Sequence, residues 1–232
     1  MTINEAIAAR HSVRAYLDKP IPDAVRVQLD KFAAKCNDAS GLRIMIRYDD
    51  PDGFDAKLAS YGNFENVKNY IVLAGRKDRD FELNCGYYGE KLALYAQGLG
   101  LNTCWVALTF NKKRVKALLQ EGERLCMVIA LGYGKTNGVP HKGKTYYDVT
   151  SEYEPMPDED GRRTSVIPDW FKAGVNAALL APTAINQQKF LFSYEDGTPR
   201  LRAKGLGVHL QTDLGIVKYH FEVVSGHEVK VE

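Results

Sequence analysis

The 232-residue sequence holds only four cysteines, Cys36, Cys85, Cys104 and Cys126, and no two of them form a CxxC pair. Such scatter excludes the disulfide framework of a small exported domain and leads us to expect a reduced, cytoplasmic protein. The five histidines, His11, His141, His209, His220 and His227, show no HxxxH spacing, so no zinc site is expected. Charge of one sign is scarce too. Lys+Arg 31 against Asp+Glu 29 leaves +2, which gives no electrostatic reason to expect nucleic acid or an anionic membrane as partner. No run of about 20 apolar residues occurs, so no membrane-spanning helix is expected. The opening MTINEAIAARHSVRAY has no apolar core ahead of its arginines and does not read as a secretory signal. Several catalytic signatures are missing as well. There is no GxSxG elbow. Gly134-Lys135-Thr136 lacks the glycine five positions earlier that a phosphate loop needs, since residue 129 is isoleucine. Gly98-Leu99-Gly100 lacks the third glycine of a dinucleotide fingerprint and follows a helix instead of preceding one.

What is present is an ordinary globular composition, 45% hydrophobic and 26% charged. A chain of this length can bury roughly 70% of its unfolded surface and needs no staple. Apolar spacing predicts a short helix over 3–10 and a second one opened by Pro22 and Asp23, with Val25, Leu29, Phe32 and Ala33 on one face. Alternation at Leu42, Ile44, Ile46 and Tyr48 predicts a strand, and YIVLAG at 70–75 a buried one. The longest helix is expected over 79–97, ended by Gly98 and Gly100, and a strand over 124–131. Residues 134–168 are polar and too long for an ordinary connection, which suggests an arm or functional loop. A helix from Trp170 to Leu180, a strand at 189–194, a last helix capped by Thr212 and a terminal HEVKVE strand complete the chain. The mixture lacks a strict βαβ rhythm, so the expected class is α+β. The segments on both sides of the long loop look like one sheet and one core, a single domain over 1–232.

Four segments carry possible chemistry. Arg10-His11-Ser12-Val13-Arg14 places two guanidiniums around a hydroxyl where a helix becomes extended, a pattern suited to phosphate or polyol contacts, or simply a solvated basic helix end. Pro182-Thr183-Ala184-Ile185-Asn186-Gln187-Gln188 presents carboxamides, which both donate and accept and so can read a heterocycle edge. Gly98 to Leu108, including Trp105 and Ala107, also reads as a core strand after a helix end. Lys142 and Lys144 form a basic pair in the long loop, readable as mere solubility.

Together these pieces resemble the FMN-dependent nitroreductase family. RHSVR is similar to its Arg-x-Ser-x-Arg, APTAINQQ to its Pro-Ser-x-x-Asn-x-Gln, residues 89–106 to its Gly-Leu-Gly helix end, and Gly132-Tyr133 with Lys142 and Lys144 to its Gly-Tyr segment and later basic pair. The order departs from most members, in which the amide segment lies near residue 40. Here that place holds Asn37 to Leu42, and the fuller match falls at 182–188. The resemblance implies a nitroreductase-like, mostly antiparallel sheet flanked by helices, and an FMN site at Arg10, His11, Ser12, Arg14, Trp105, Ala107, Leu108, Lys142, Lys144, Pro182, Thr183, Ala184, Asn186 and Gln188. Arg10, Ser12, Arg14 and the lysines would serve the phosphate, ribityl chain and pyrimidine edge. Thr183, Asn186 and Gln188 would border the ring, and backbone amides near Ala107 and Leu108 would face it. It further implies a homodimer with the 134–168 arm crossing between subunits. The implied activity passes hydride from NADH or NADPH through the flavin to a small electron-poor acceptor such as a nitroaromatic or quinone. A flavin-binding or sensing protein with little turnover, and flavin-destroying or dehalogenating activity, are the alternatives.

Overall fold

The computed structural model describes residues 1–54, 62–151, 167–195 and 197–232. Helix α1 (Ile3–Ala9) is held at its start by a capping box between Thr2 and Glu5 and gives way at Arg10 to extended backbone. Helix α2 (Asp23–Ser40) ends at Gly41, whose φ of +69° is the left-handed turn that glycine adopts without strain. Strands β1 (Arg43–Arg47) and β2 (Asn69–Arg76) precede the long helix α3 (Phe81–Gly98). Strand β3 (Asn102–Val106), helix α4 (Lys112–Lys116) and strand β4 (Glu123–Gly132) follow. The four strands form a sheet in the order β1-β2-β4-β3, antiparallel throughout.

This sheet is covered on both faces, which is why YIVLA at 70–74 is apolar without interruption. Ile71, Leu73, Ile129 and Leu131 point to one face, under α2 and α3, with Leu29, Leu92 and Ala96. Tyr70, Val72, Val128 and Ala130 point to the other, against Val13, Tyr16, Phe54 and Phe110.

The expectation of one sheet is corrected. Past the loop, helix α5 (Asp169–Ala178), strands β5 (Phe190–Glu195) and β6 (Thr198–Ala203), helix α6 (Leu210–Ser225) and strand β7 (Lys230–Val231) build a second, three-stranded sheet. In it β5 and β6 are antiparallel and β7 runs parallel to β6. Its core is separate, with Phe171, Val175, Phe190, Phe192 and Phe221. Helix α6 begins at Leu210 after His209, so Thr212 lies inside the first turn and does not cap it. The terminal strand shrinks from HEVKVE to two residues.

Helices α3 and α6 join the two parts. They cross at Gly86 and Gly215, where a side chain on either would overlap the other's backbone. A Cβ on Gly86 would press into the Thr212 carbonyl and lie 3.1 Å from the Gly215 Cα, and one on Gly215 would press into the Leu83 carbonyl and lie 3.0 Å from the Gly86 Cα. The first part of the expected arm, 134–151, is a strap within its own chain. Lys135 N donates to Ala15 O at 2.9 Å near one sheet, and Phe192 N donates to Val149 O at 2.7 Å at the other. The rest, 152–166, lies outside the described residues. Among these no helix is long and apolar enough to cross a membrane.

Candidate functional site

The strap brings two of the sequence segments together. After α5, Thr183 to Gln188 forms a tight loop in which Ile185, Asn186 and Gln188 all have positive φ, 48°, 55° and 45°. Asparagine tolerates that region, but for a β-branched isoleucine it is an outlier, and Ile185 is 88% exposed. Strain of this kind persists only where surrounding bonds fix it. Gln188 N donates to Thr183 Oγ1 at 3.0 Å, and Asp213, at the start of α6, accepts from Ala184 N at 2.9 Å and Gln187 Nε2 at 2.7 Å.

The loop's amides meet the basic pair. Asn186 Nδ2 and Gln188 Nε2 donate to Lys142 O at 3.0 and 2.9 Å, and Lys144 donates from N to Gln188 Oε1 at 2.8 Å and from Nζ to Gln188 O at 2.7 Å. Lys144 is thereby partly spent on the loop, while Lys142 stays exposed. One residue earlier, His141 Nε2 lies 3.1 Å from Leu179 O at the end of α5. His141 also faces His11, whose pKa is lowered by partial burial and then by Arg10 and His141. Gly138 packs closely on His11 and Ser12. The amino-terminal segment, the strap and the amide loop thus adjoin within one chain.

Burial lifts Asp213 to about 6, against bonds from Gln187 and Ala184 that favour its charged form. A carboxyl raised in the folded state favours folding while the folded form holds the proton that the unfolded chain has lost. Stability should therefore fall as pH rises from about 4 to 6, by something on the order of 3 kcal/mol. Thermal melts at pH 4.5 and 7 check this, and Asp213→Asn should flatten the difference. An equally steep dependence in that variant would remove Asp213 as its source.

The RHSVR segment is divided in use. Arg14 is exposed, its guanidinium 6.0 Å from the Phe64 ring centroid. Ser12 reaches the buried Cys104 thiol. Arg10 is not the solvated helix end that one reading expected: it is 3% exposed. Its Nε lies 3.3 Å from Glu90 Oε1, out of hydrogen-bond alignment, and Nε and Nη1 find no hydrogen-bond partner among the described residues. Glu90 in turn accepts from Trp105 Nε1 at 2.7 Å and lies 3.0 Å from His220 Nε2. Burial alone would raise the Glu90 pKa, but His220, Arg10 and Trp105 outweigh it and hold it low.

Trp105 therefore turns toward α3, where Gly89 leaves room for its ring. Ala107, half-buried, and Leu108, exposed, follow the end of β3. Pro182 and Ala184 sit in the loop itself, half-buried. The usual family position is occupied otherwise: Asn37 exchanges bonds with the Ile44 backbone at 3.0 and 2.7 Å, fastening α2 to β1. Glu90, His220 and Asp213 were missed by sequence reasoning. The one signal for Glu90 is an acid four residues after Gly86 and directly after Gly89, and charged residues are ordinarily exposed.

An anionic, planar, amide-bearing group fits these residues. The donors are a buried Arg10 Nη1 without a hydrogen-bond partner and an exposed Arg14 without an ion pair, both among the described residues, beside a loop whose carboxamides are fixed by bonds to Lys142 O and Asp213.

Comparison with known proteins agrees with the fold. The family model described as "Putative TM nitroreductase" matches residues 2–225. The crystal structure of a putative nitroreductase from Thermotoga maritima is similar over 97% of this chain and 83% of that one, with TM-score 0.65 and 23% identity. A nitroreductase-like protein from Streptococcus mutans covers 65% of this chain and 97% of its own, with TM-score 0.54 and 14% identity. A putative nitroreductase in complex with FMN from Exiguobacterium sibiricum covers 64% and 95%, with TM-score 0.52 and 13% identity. No curated protein matches the sequence. With an α+β fold, a mostly antiparallel sheet and a family match over nearly its whole length, this chain belongs to the TM nitroreductase family.

Proposed function

We propose that this chain is an FMN-dependent oxidoreductase that takes hydride from NADH or NADPH and passes it to a small electron-poor acceptor such as a nitroaromatic or quinone. The observation that carries the reading is a buried Arg10 whose Nη1 has no hydrogen-bond partner among the described residues, in the same chain as an amide loop held in left-handed backbone. FMN, when bound, supplies the two-electron chemistry. The chain's part is to bind and orient. Arg10, His11, Ser12, Arg14, Lys142 and Lys144 meet the phosphate and ribityl chain. Pro182, Thr183, Ala184, Asn186 and Gln188 border the ring, with Ala107, Leu108 and Trp105 beyond it. We read residues 1–232 as one domain, since these residues come from both sides of the β1–β4 sheet in the chain, and the protein as cytoplasmic, in keeping with four free thiols. The homodimer is carried by the family resemblance, and light scattering checks it.

Purified protein should show flavin bands at ~370 and ~450 nm that bleach anaerobically with NADH or NADPH. Bound flavin that stays yellow with both donors would instead favour a binding or sensing protein. Asn186→Leu should cost about 1 to 3 kcal/mol of FMN affinity, because it removes the amide that donates to Lys142 O and accepts from Gln188 Nε2 and so releases the loop that borders the ring. Asn37→Leu, whose amide is spent on Ile44, should leave FMN affinity unchanged. Titration of flavin fluorescence separates the two, and the reverse pattern would move the amide loop to residue 37.

A further inference from the structure

Arg10, Glu90, His220 and the end of α5 form one continuous buried path. Arg10 Nε is 3.3 Å from Glu90 Oε1, that same oxygen is 3.0 Å from His220 Nε2, and His220 Nδ1 is 3.0 Å from Ala177 O. Glu90 and His220 are both fully buried. Their meeting depends on the close crossing of α3 and α6, because Glu90 lies one turn beyond Gly86 and His220 just over a turn beyond Gly215. Ala177 O belongs to the last turn of α5, and five residues later the amide loop begins at Pro182. The path therefore has one end on the amino-terminal arginine and the other on the helix that launches the loop.

Burying a carboxylate is costly unless it is paired and hydrogen-bonded. Glu90 meets that condition with three partners, and its second oxygen is already taken by Trp105 Nε1 at 2.7 Å. Arg10 has its Nε side turned to this charge, which leaves Nη1 buried and without an acceptor among the described residues. A guanidinium confined by burial beside the Glu90 charge is pre-organised for a second anion, since the rotamer freedom of a long side chain has already been removed.

We propose that Glu90 and His220 are positioning residues. They fix the Arg10 guanidinium toward the FMN phosphate and tie it in register with the amide loop that borders the ring. The proposal rests on the FMN reading above. It concerns the phosphate end of the ligand, so its signature is discrimination between FMN and riboflavin, which share the ring and ribityl chain. A residue that only supports the fold would weaken both ligands alike.

The test measures dissociation constants of FMN and riboflavin by fluorescence quenching for the wild-type chain, Arg10→Ala, Glu90→Gln and the double variant. Arg10→Ala and Glu90→Gln should each lower the FMN preference by about tenfold, with riboflavin affinity little changed, and the double variant should lose no more than either alone. Should Glu90→Gln not fold, Glu90→Asp keeps the charge, withdraws it by one methylene, and is expected to lower the same preference. Equal losses for FMN and riboflavin, or an unchanged preference in the Glu90 variants beside a reduced one in Arg10→Ala, would overturn the positioning role while leaving the FMN reading intact. A wild-type chain that binds neither flavin would overturn both.

Discussion

Gly86→Ala is expected to lower thermal stability by about 3 kcal/mol or more, a fall in Tm of roughly 6 to 12 °C for a chain of this size. The new methyl group would overlap the Thr212 carbonyl, which is helix backbone and cannot swing aside as a side chain does. Relief requires the two central helices to move apart, opening contacts along both cores. Gly98→Ala, on the same helix, supplies the control, because a Cβ there meets nothing within 4 Å. Calorimetry showing the two variants within about 2 °C of each other would mean that the crossing yields easily, and that the glycines are not what lets α3 and α6 meet.

The second large effect lies one turn along the same helix. Glu90→Leu keeps the volume roughly constant but leaves Arg10 charged and unpaired in the interior, and strips an acceptor from Trp105 and His220. Removing one partner of a buried pair typically costs about 3 to 5 kcal/mol, far more than an exposed pair is worth. The wild-type chain should report the same group through pH. The Glu90 carboxyl is held below its ordinary value of 4.5, so its contribution is complete above that value and is lost as pH falls through the folded pKa. In the leucine variant the acid-side slope should flatten although overall stability drops. A variant as stable as the parent in urea titration would show that the carboxylate contributes nothing net.

The elements with clear periodicity were legible in the sequence. The glycines at 98 and 100, which close α3, act within a few residues, and the uninterrupted apolar run at 70–74 records burial on both faces of the sheet. Strand β6 was missed because TPRLRA carries a proline and two arginines, which argue against a strand until β5 and β7 pair with it on either side. The division into two sheets was equally invisible, since strand partners are chosen by packing and not by composition. At the site, the carboxamides and basic pair could be singled out because polar side chains crowd a short segment, and the structure brings them together. Trp105 could not be oriented, because its direction is set by the space over Gly89 and the carboxylate of Glu90, on a different element.

The crossing of α3 and α6 has a consequence for how many ligands one chain can hold. Each glycine stands five residues after the first residue of its helix, Phe81 or Leu210, and each would strike the carbonyl three residues before the other glycine. Exchanging the helices leaves the contact unchanged, so the crossing has two-fold symmetry. The strands obey the same relation: an antiparallel pair precedes each helix, and a strand after it runs parallel to the one before it, β3 with β2 through β4 and β7 beside β6. The residues of the candidate site do not obey it. The RHSVR segment stands only ahead of the first repeat and the 182–188 loop only within the second. A symmetric frame bearing one unsymmetrical set of site residues offers that set once, so titration should end at one flavin per chain.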